Sequence, residues 1–276
     1  MAKLKVGLIG CGAIGNLISK AIEEGKAGDT ELVMVYDVIK EKAEEFVQLM
    51  PERPRVADTA EEIIESDLIN LVVEAASQGA VKEYAVKILN SGKDLLILSI
   101  GALVDKQLLK AIEETAERND KIVYLPSGAV VGLDGVKSSS VAKLSEVLLT
   151  TRKNPEILKG APYIIQHKID LDSVKEPTVV YAGYAEEAAR MFPKNINVAA
   201  VLSLAGIGAE RTKVRIIADP TVHKNVHEIV VKGDFGTLKT HVENVPSSHN
   251  PKTSYLAALS VIRTLRKIGE HIQIGT

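Results

Sequence analysis

Three glycines and one carboxylate are the first residues in this chain whose spacing suggests chemistry. Gly10-Cys11-Gly12-Ala13-Ile14-Gly15 fits the pattern G-x-G-x-x-G. Each glycine has its own physical role. Gly10 permits a tight turn, Gly12 lets backbone N–H groups approach a pyrophosphate, and Gly15 lets a helix pack closely on a strand. The helix that opens at Ala13 and Ile14 offers unpaired N–H donors and a partial positive charge, which suits phosphate. Asp37 follows the last glycine by about 20 residues, where an acidic side chain accepts hydrogen bonds from ribose hydroxyls. A carboxylate there repels a 2′-phosphate. NAD is therefore favoured, with Lys40 and Lys42 leaving NADP open. Cys11 reads as a small filler in the loop. The plain alternative is a glycine-rich turn in an α/β domain without a cofactor.

The second domain holds the residues suited to proton transfer and anion binding. Of the six histidines, His227 has the best context. It opens an apparent strand, and alternation puts His227, Ile229 and Val231 on one face. A histidine at a strand edge, facing a cleft between domains, exchanges protons near neutral pH. Asn195-Ile196-Asn197 precedes a small-residue helix. The amide of Asn197 can hold a nicotinamide carboxamide or, equally, cap the helix. Arg152 and Lys153 end a strand and could clamp a carboxylate; solvated surface charge is the other reading. Lys252, before the last helix, is a further anion-binding candidate.

These residues need elements to position them. Residues 5–10 form an apolar run ending in glycine, as a buried parallel strand does. Ile14, Leu17, Ile18 and Ile22 share one face of a helix over 13–24. Further strands are expected at 31–37, 56–57, 68–74, 95–99 and 121–125. Helices are expected at 41–49, 60–65 (with Thr59 as N-cap), 81–90 and 106–119. This alternation predicts an α/β fold with a Rossmann-type doubly wound parallel sheet. Ligands of such sheets bind beyond the carboxyl ends of the strands. That puts Glu74, Ala75, Ala76, Ser99 and Ala129 on the cofactor rim, unless they serve only as turn residues.

The texture changes after Pro126. Strands are expected at 146–152, 179–181, 215–218, 227–232 and 237–242, the last two joined by the loop Gly233-Asp234-Phe235-Gly236. Helices are expected at 185–191, 198–204 and 253–268. Residues 154–177 show weak periodicity and read as a variable excursion. The expected organisation is a dinucleotide-binding domain over 1–126 and a second, smaller α+β domain for substrate and dimerisation over 127–250. A C-terminal helix within 251–276 is expected to return to the first domain.

Composition narrows the function classes. The chain has 276 residues, 46% hydrophobic and 25% charged, with a net charge of −2. No basic block supports nucleic acid or an anionic membrane as partner. A single cysteine excludes an internal disulfide framework and a multi-cysteine metal site. No apolar run is long enough to span a bilayer, and no signal peptide is visible. The expectation is a cytoplasmic protein without a metal, forming a homodimer through its sheet-rich second domain.

The chain resembles the NAD(P)-dependent L-aspartate dehydrogenase family. The resemblance rests on the glycine loop, Val73-Glu74-Ala75-Ala76, Pro126-Ser127-Gly128-Ala129 and Thr151-Arg152-Lys153. It continues through residues 192–200, Ala218-Asp219-Pro220, Asn225-Val226-His227-Glu228-Ile229 and Asn250-Pro251-Lys252-Thr253-Ser254. It implies oxidative deamination of L-aspartate to iminoaspartate, then oxaloacetate and ammonia. The reaction would feed NAD biosynthesis or run as reductive amination. It makes His227 the active-site acid/base and places Ala129 and Asn197 against the cofactor. Arg152, Lys153 and Lys252 become the candidates for the substrate carboxylates. The rival readings are an oxidoreductase of homoserine dehydrogenase or dihydrodipicolinate reductase type, and a non-catalytic NAD-binding sensor. An inositol-type enzyme would need a strand-end E-K-P lysine, which this sequence lacks.

Overall fold

The computed structural model describes residues 3–193, 196–247 and 250–276, without the side chains of 247 and 250–253. It divides into two compact units: 1–126 with 258–273, and 127–257 with 274–276. Among the described residues no helix is long and apolar enough to cross a membrane.

The first unit alternates strands and helices: β1 Leu4–Ile9, α1 Ala13–Glu23, β2 Thr30–Tyr36, α2 Lys40–Gln48, β3 Arg55–Val56, α3 Ala60–Glu65, β4 Leu71–Glu74, α4 Gln78–Asn90, β5 Asp94–Ile97, α5 Lys106–Arg118 and β6 Val123–Tyr124. The strands pair in parallel in the order β3-β2-β1-β4-β5-β6. This is the doubly wound order, with its switch point between β1 and β4. Both faces are covered, so β4 is buried throughout and its sequence is an unbroken apolar run closed by Glu74. A one-turn 3-10 helix, Ile100–Val104, follows β5 where the sequence reading had only a loop. Thr59 takes the N-cap position of α3, but its side chain makes no capping bond.

The second unit continues with α6 Leu133–Ser139, β7 Leu144–Lys153, α7 Pro155–Leu158, α8 Pro162–Gln166, β8 Thr178–Tyr184, α9 Ala185–Met191, α10 Asn197–Ala205, β9 Lys213–Ala218, β10 Asn225–Gly233, β11 Gly236–Asn244, β12 Pro246–Ser247, β13 Asn250–Ser254 and α11 Tyr255–Ile268. α11 lies mostly within the first unit. Its mixed five-stranded sheet has the order β11-β10-β7-β9-β8. Only β7 and β9 run parallel. One sheet face is apolar and buried, carrying Val147, Leu149, Ile229 and Val231. α6 lies over β11 on that side, because Gly132 and Gly135 bring their backbones against Thr240 and Leu238. Residues 154–177 are not featureless. They contain α7 and α8, and Tyr163 of α8 packs its ring on Tyr181 and Phe192.

Two glycines of the first loop separate packing from ligand access. A Cβ on Gly15 would lie 2.4 Å from the Gly10 carbonyl oxygen and 3.3 Å from Leu8 Cδ2, so α1 meets β1 only through a glycine. A Cβ on Gly12 would meet nothing within 4 Å, and its φ of −79° suits any residue. Gly15→Ala should therefore cost about 1–3 kcal/mol of stability through overpacking. Gly12→Ala should stay within about 0.5 kcal/mol of wild type. Urea unfolding of both variants checks this; equal losses would contradict the assigned roles.

Candidate active site

The first unit forms an open groove of ≈ 480 Å³ at the carboxyl ends of β1, β2 and β4. Gly10, Gly12, Asp37, Ala75 and Ala76 line it, together with Lys42. Gly10 adopts φ +106°, and a Cβ there would strike the Ala75 backbone at 2.7 Å. Glycine is required on both counts. Asn16 steadies the loop from within α1 by donating to the carbonyls of Cys11 and Gly12. Asp37 accepts from the N–H groups of Cys11 and Ile39, both at 2.9 Å. Its carboxylate thus sits at the groove while tying the glycine loop to the end of β2. Burial, then the Asp37 charge, pushes the Cys11 thiol up to about 12, so it is inert at neutral pH.

Glu74 is the anchor of the rim. Its carboxylate is buried, and burial raises its pKa. Four donated hydrogen bonds pull the other way: Ala76 N–H, Ser77 N–H, Ser99 N–H and Ser99 O–H, at 2.8–2.9 Å. One side chain therefore fixes the turn after β4 and the turn after β5. Ser99, expected at the rim, is held there by Glu74.

The groove suits a dinucleotide on grounds of shape. Gly12 leaves the space a Cβ would fill, Gly10 lets the chain turn under it, and the first turn of α1 begins at its floor.

The second unit gathers a polar cluster on the otherwise apolar face of its sheet. Thr151 of β7 and His227 of β10 are directly paired, and Thr151 Oγ1 lies 3.0 Å from His227 Nδ1. Lys153 is two residues along β7 from Thr151, so it leaves the same face. His227 is 4% exposed and Lys153 5%. Burial lowers the Lys153 ammonium to about 8. Burial, then the Lys153 charge, pushes the His227 imidazole down to about 3. The imidazole is accordingly neutral at pH 7. Asn225 begins the same row of β10 side chains, and Asn244 lies across from it on β11. The Asn244 amide donates to the Ala129 carbonyl at 2.9 Å, tying the Ser127-Gly128-Ala129 segment to this cluster. Asn225 Oδ1 is buried without a hydrogen-bond partner among the described residues. Such an atom costs roughly 1–3 kcal/mol.

Not every expected residue joins this cluster. Strand alternation sends Arg152 to the opposite face, where its guanidinium pairs with Glu228 at 3.7 Å and Asp219 at 3.9 Å. Arg152 and Lys153 therefore do not form one clamp. Asn197 is exposed in the first turn of α10, and Ile196 rather than Asn197 holds the N-cap position. Asn195 and the side chain of Lys252 lie outside the described residues. Thr151, Asn225, Asn244 and Asn16 join these networks although the sequence pattern gives them no role; register and burial bring out the first three, and the hydrogen bonds bring out Asn16. Glu74, expected only as part of the rim, is the residue that ties it together.

Comparison with known proteins places this geometry. The family described as aspartate dehydrogenase, C-terminal, matches residues 134–268. The homoserine dehydrogenase NAD-binding domain family matches residues 10–126. The L-aspartate dehydrogenase of Methanocella arvoryzae is 48% identical over 272 residues, 99% of each chain. That of Methanosarcina barkeri is 48% identical over 273 residues, covering 99% of this chain and 100% of its own. The crystal structure of aspartate dehydrogenase from Thermotoga maritima superposes with a TM-score of 0.80 at 30% identity, over 99% of this chain and 100% of that one. A myo-inositol dehydrogenase-like structure from Sinorhizobium meliloti reaches a TM-score of 0.58 at 17% identity, covering 99% and 91%, a likeness of fold alone. The homoserine dehydrogenase likeness is confined to the first unit, whereas identity near one half extends through both, and so the chain belongs to the L-aspartate dehydrogenase family.

Proposed function

We propose that this protein catalyses the NAD(P)-dependent oxidative deamination of L-aspartate to iminoaspartate, which water converts to oxaloacetate and ammonia. The observation that carries the proposal is the buried face on which His227, Thr151 and Lys153 stand together. When bound, the dinucleotide supplies the acceptor for the Cα hydride. Gly10, Gly12, the first turn of α1 at Ala13, Ile14 and Gly15, and Asp37 would hold it. Ala75, Ala76 and Ser99 support that groove as its rim. Ala129 and Asn197 go with the cofactor in this proposal on the strength of the family resemblance.

The protein's own residues then handle charge and protons. Lys153 is the cation for a substrate carboxylate, and Lys252 is a second candidate by resemblance. Arg152, paired on the other face, would have to leave Glu228 and Asp219 to take part. Thr151 Oγ1 lies 3.0 Å from His227 Nδ1, and the mechanism requires the tautomer in which Nδ1–H donates to it, leaving the Nε2 lone pair as the base. Nε2 takes a proton from the substrate ammonium, so that the nitrogen lone pair is free to form the C=N bond. The same imidazole then serves the carbinolamine steps as acid and base. Burial is the larger cause that depresses His227 and remains; a carboxylate against Lys153 offsets the smaller one, the Lys153 charge. Substrate binding thus raises the basicity of the group that must accept the proton.

NAD is the preferred cofactor in this reading, because the Asp37 carboxylate at the groove repels a 2′-phosphate. A homodimer working in the cytoplasm, linked to NAD biosynthesis, completes the proposal. The sheet-rich second unit supports the pairing.

Initial rates of NADH formation across a panel of L-amino acids test the proposal. L-Aspartate should be the substrate turned over. His227→Ala should lower its turnover by about 10²–10⁴-fold while leaving NAD affinity unchanged. Turnover driven by homoserine, or none with any amino acid despite tight NAD binding, would overturn it. Asp37→Ala should weaken NAD at least about tenfold more than NADP, the worth of a hydrogen bond to a charged acceptor. Equal losses in cofactor titrations would contradict the NAD preference.

A further inference from the structure

Asn225 carries a polar atom that no other described residue uses. It precedes His227 by two residues on β10, so both side chains leave one face of the sheet. It is 1% exposed. Its amide donates to Ser254 Oγ at 3.5 Å, while Oδ1 meets no donor among the described residues. Buried acceptors in native structures are met by protein, water or a ligand in the great majority of cases. The neighbours are already engaged. Asn244, directly across the pair, gives its amide to Ala129, and Thr151 is engaged with His227 Nδ1.

Among the described residues this end of the face offers a cation, Lys153, and the acceptors His227 Nε2 and Asn225 Oδ1; Thr240 Oγ1, also buried without a partner, stands further along β11 beside Ile229. An α-amino acid is the complement: anionic carboxylates and a nitrogen carrying several N–H donors. A hydroxy acid of the same skeleton has a single O–H donor and would leave one buried acceptor unmet. Sites built in this way discriminate strongly against the analogue that lacks the donor.

We propose that Asn225 Oδ1 accepts an N–H of the substrate's α-nitrogen, holding that nitrogen beside His227 and selecting amino acids over hydroxy acids. This assignment rests on the aspartate reading and names the residue that recognises the reacting nitrogen. Lys153 meets a carboxylate, His227 exchanges the proton, and Asn225 holds the N–H that remains.

Reductive amination isolates the nitrogen, because ammonium and oxaloacetate are then separate substrates. Asn225→Leu removes the acceptor at similar volume, and Asn225→Asp keeps an acceptor oxygen. In Asn225→Leu the KM for ammonium and for L-aspartate should each rise at least about tenfold, the worth of one hydrogen bond to a charged donor. The KM for oxaloacetate and the affinity for NADH should stay within about twofold of wild type. Asn225→Asp should return the ammonium KM to within a few-fold of wild type. Ammonium and oxaloacetate KM rising together, an unchanged ammonium KM, or an Asp variant as impaired as Leu would each overturn the assignment. Should Asn225→Leu fail to bind NADH, the ammonium KM of Asn225→Asp decides by itself: near wild type it supports the assignment, tenfold higher it overturns it. A wild-type enzyme without L-aspartate turnover overturns the aspartate reading and this assignment with it.

Discussion

The site depends on an imidazole that cannot reach water. His227 sits within β10, flanked by β7 and β11, on the face the sheet turns to its core. A strand paired on both sides has no freedom to swing a side chain outward, so the imidazole must meet its needs locally. Thr151, its direct cross-strand neighbour, supplies a hydrogen bond. Charge is excluded twice over, by burial and by the Lys153 ammonium on the same face. Two basic groups in one apolar setting settle the conflict by shedding protons. The imidazole stays neutral and the lysine moves toward neutrality. The outcome is a neutral imidazole and a buried cation on one face of the sheet.

The first unit solves the opposite problem. Glu74 is as buried as His227 and its burial works against the carboxylate, but four N–H and O–H donors converge on it. The arrangement costs a desolvated acid and gains two turns fixed at the rim of the groove. Asp37 does similar work at lower burial, joining the glycine loop to the end of β2. Both carboxylates are positioning groups first. The groove is stiff because its loops are tied by acids rather than by packing alone.

Much of this was legible in the sequence. The parallel strands are short apolar runs closed by glycine or acid, and Gly10, Gly12 and Gly15 hold the three distinct positions their spacing implied. What escaped did so through element boundaries. The pattern ends β7 at Arg152 and leaves Lys153 open between a carboxylate clamp and surface charge; the strand runs one residue further, and Lys153 is buried on the face of His227. The reading began β10 at His227; the strand starts at Asn225, a residue type that strands disfavour. The one-residue difference conceals that Lys153 is buried, and the two-residue difference conceals Asn225. α6 escaped because Gly132 and Gly135 break the apolar pattern, yet those glycines are what let it lie against β11. Residues 154–177 escaped because an aromatic cluster, formed by partners distant in sequence, orders them in place of helical periodicity.

The central claim is that His227 is neutral across the working pH range because of where the sheet places it. Ring nitrogen chemical shifts of ¹⁵N-histidine-labelled enzyme, free of substrate, test this directly, with the His227 signals assigned by their loss in His227→Gln. The account predicts a neutral tautomer with Nδ1 protonated that does not titrate between pH 8 and about pH 5, consistent with an imidazole pushed down to about 3. A His227 signal that titrates near pH 6.5, as a solvated imidazole does, would contradict it.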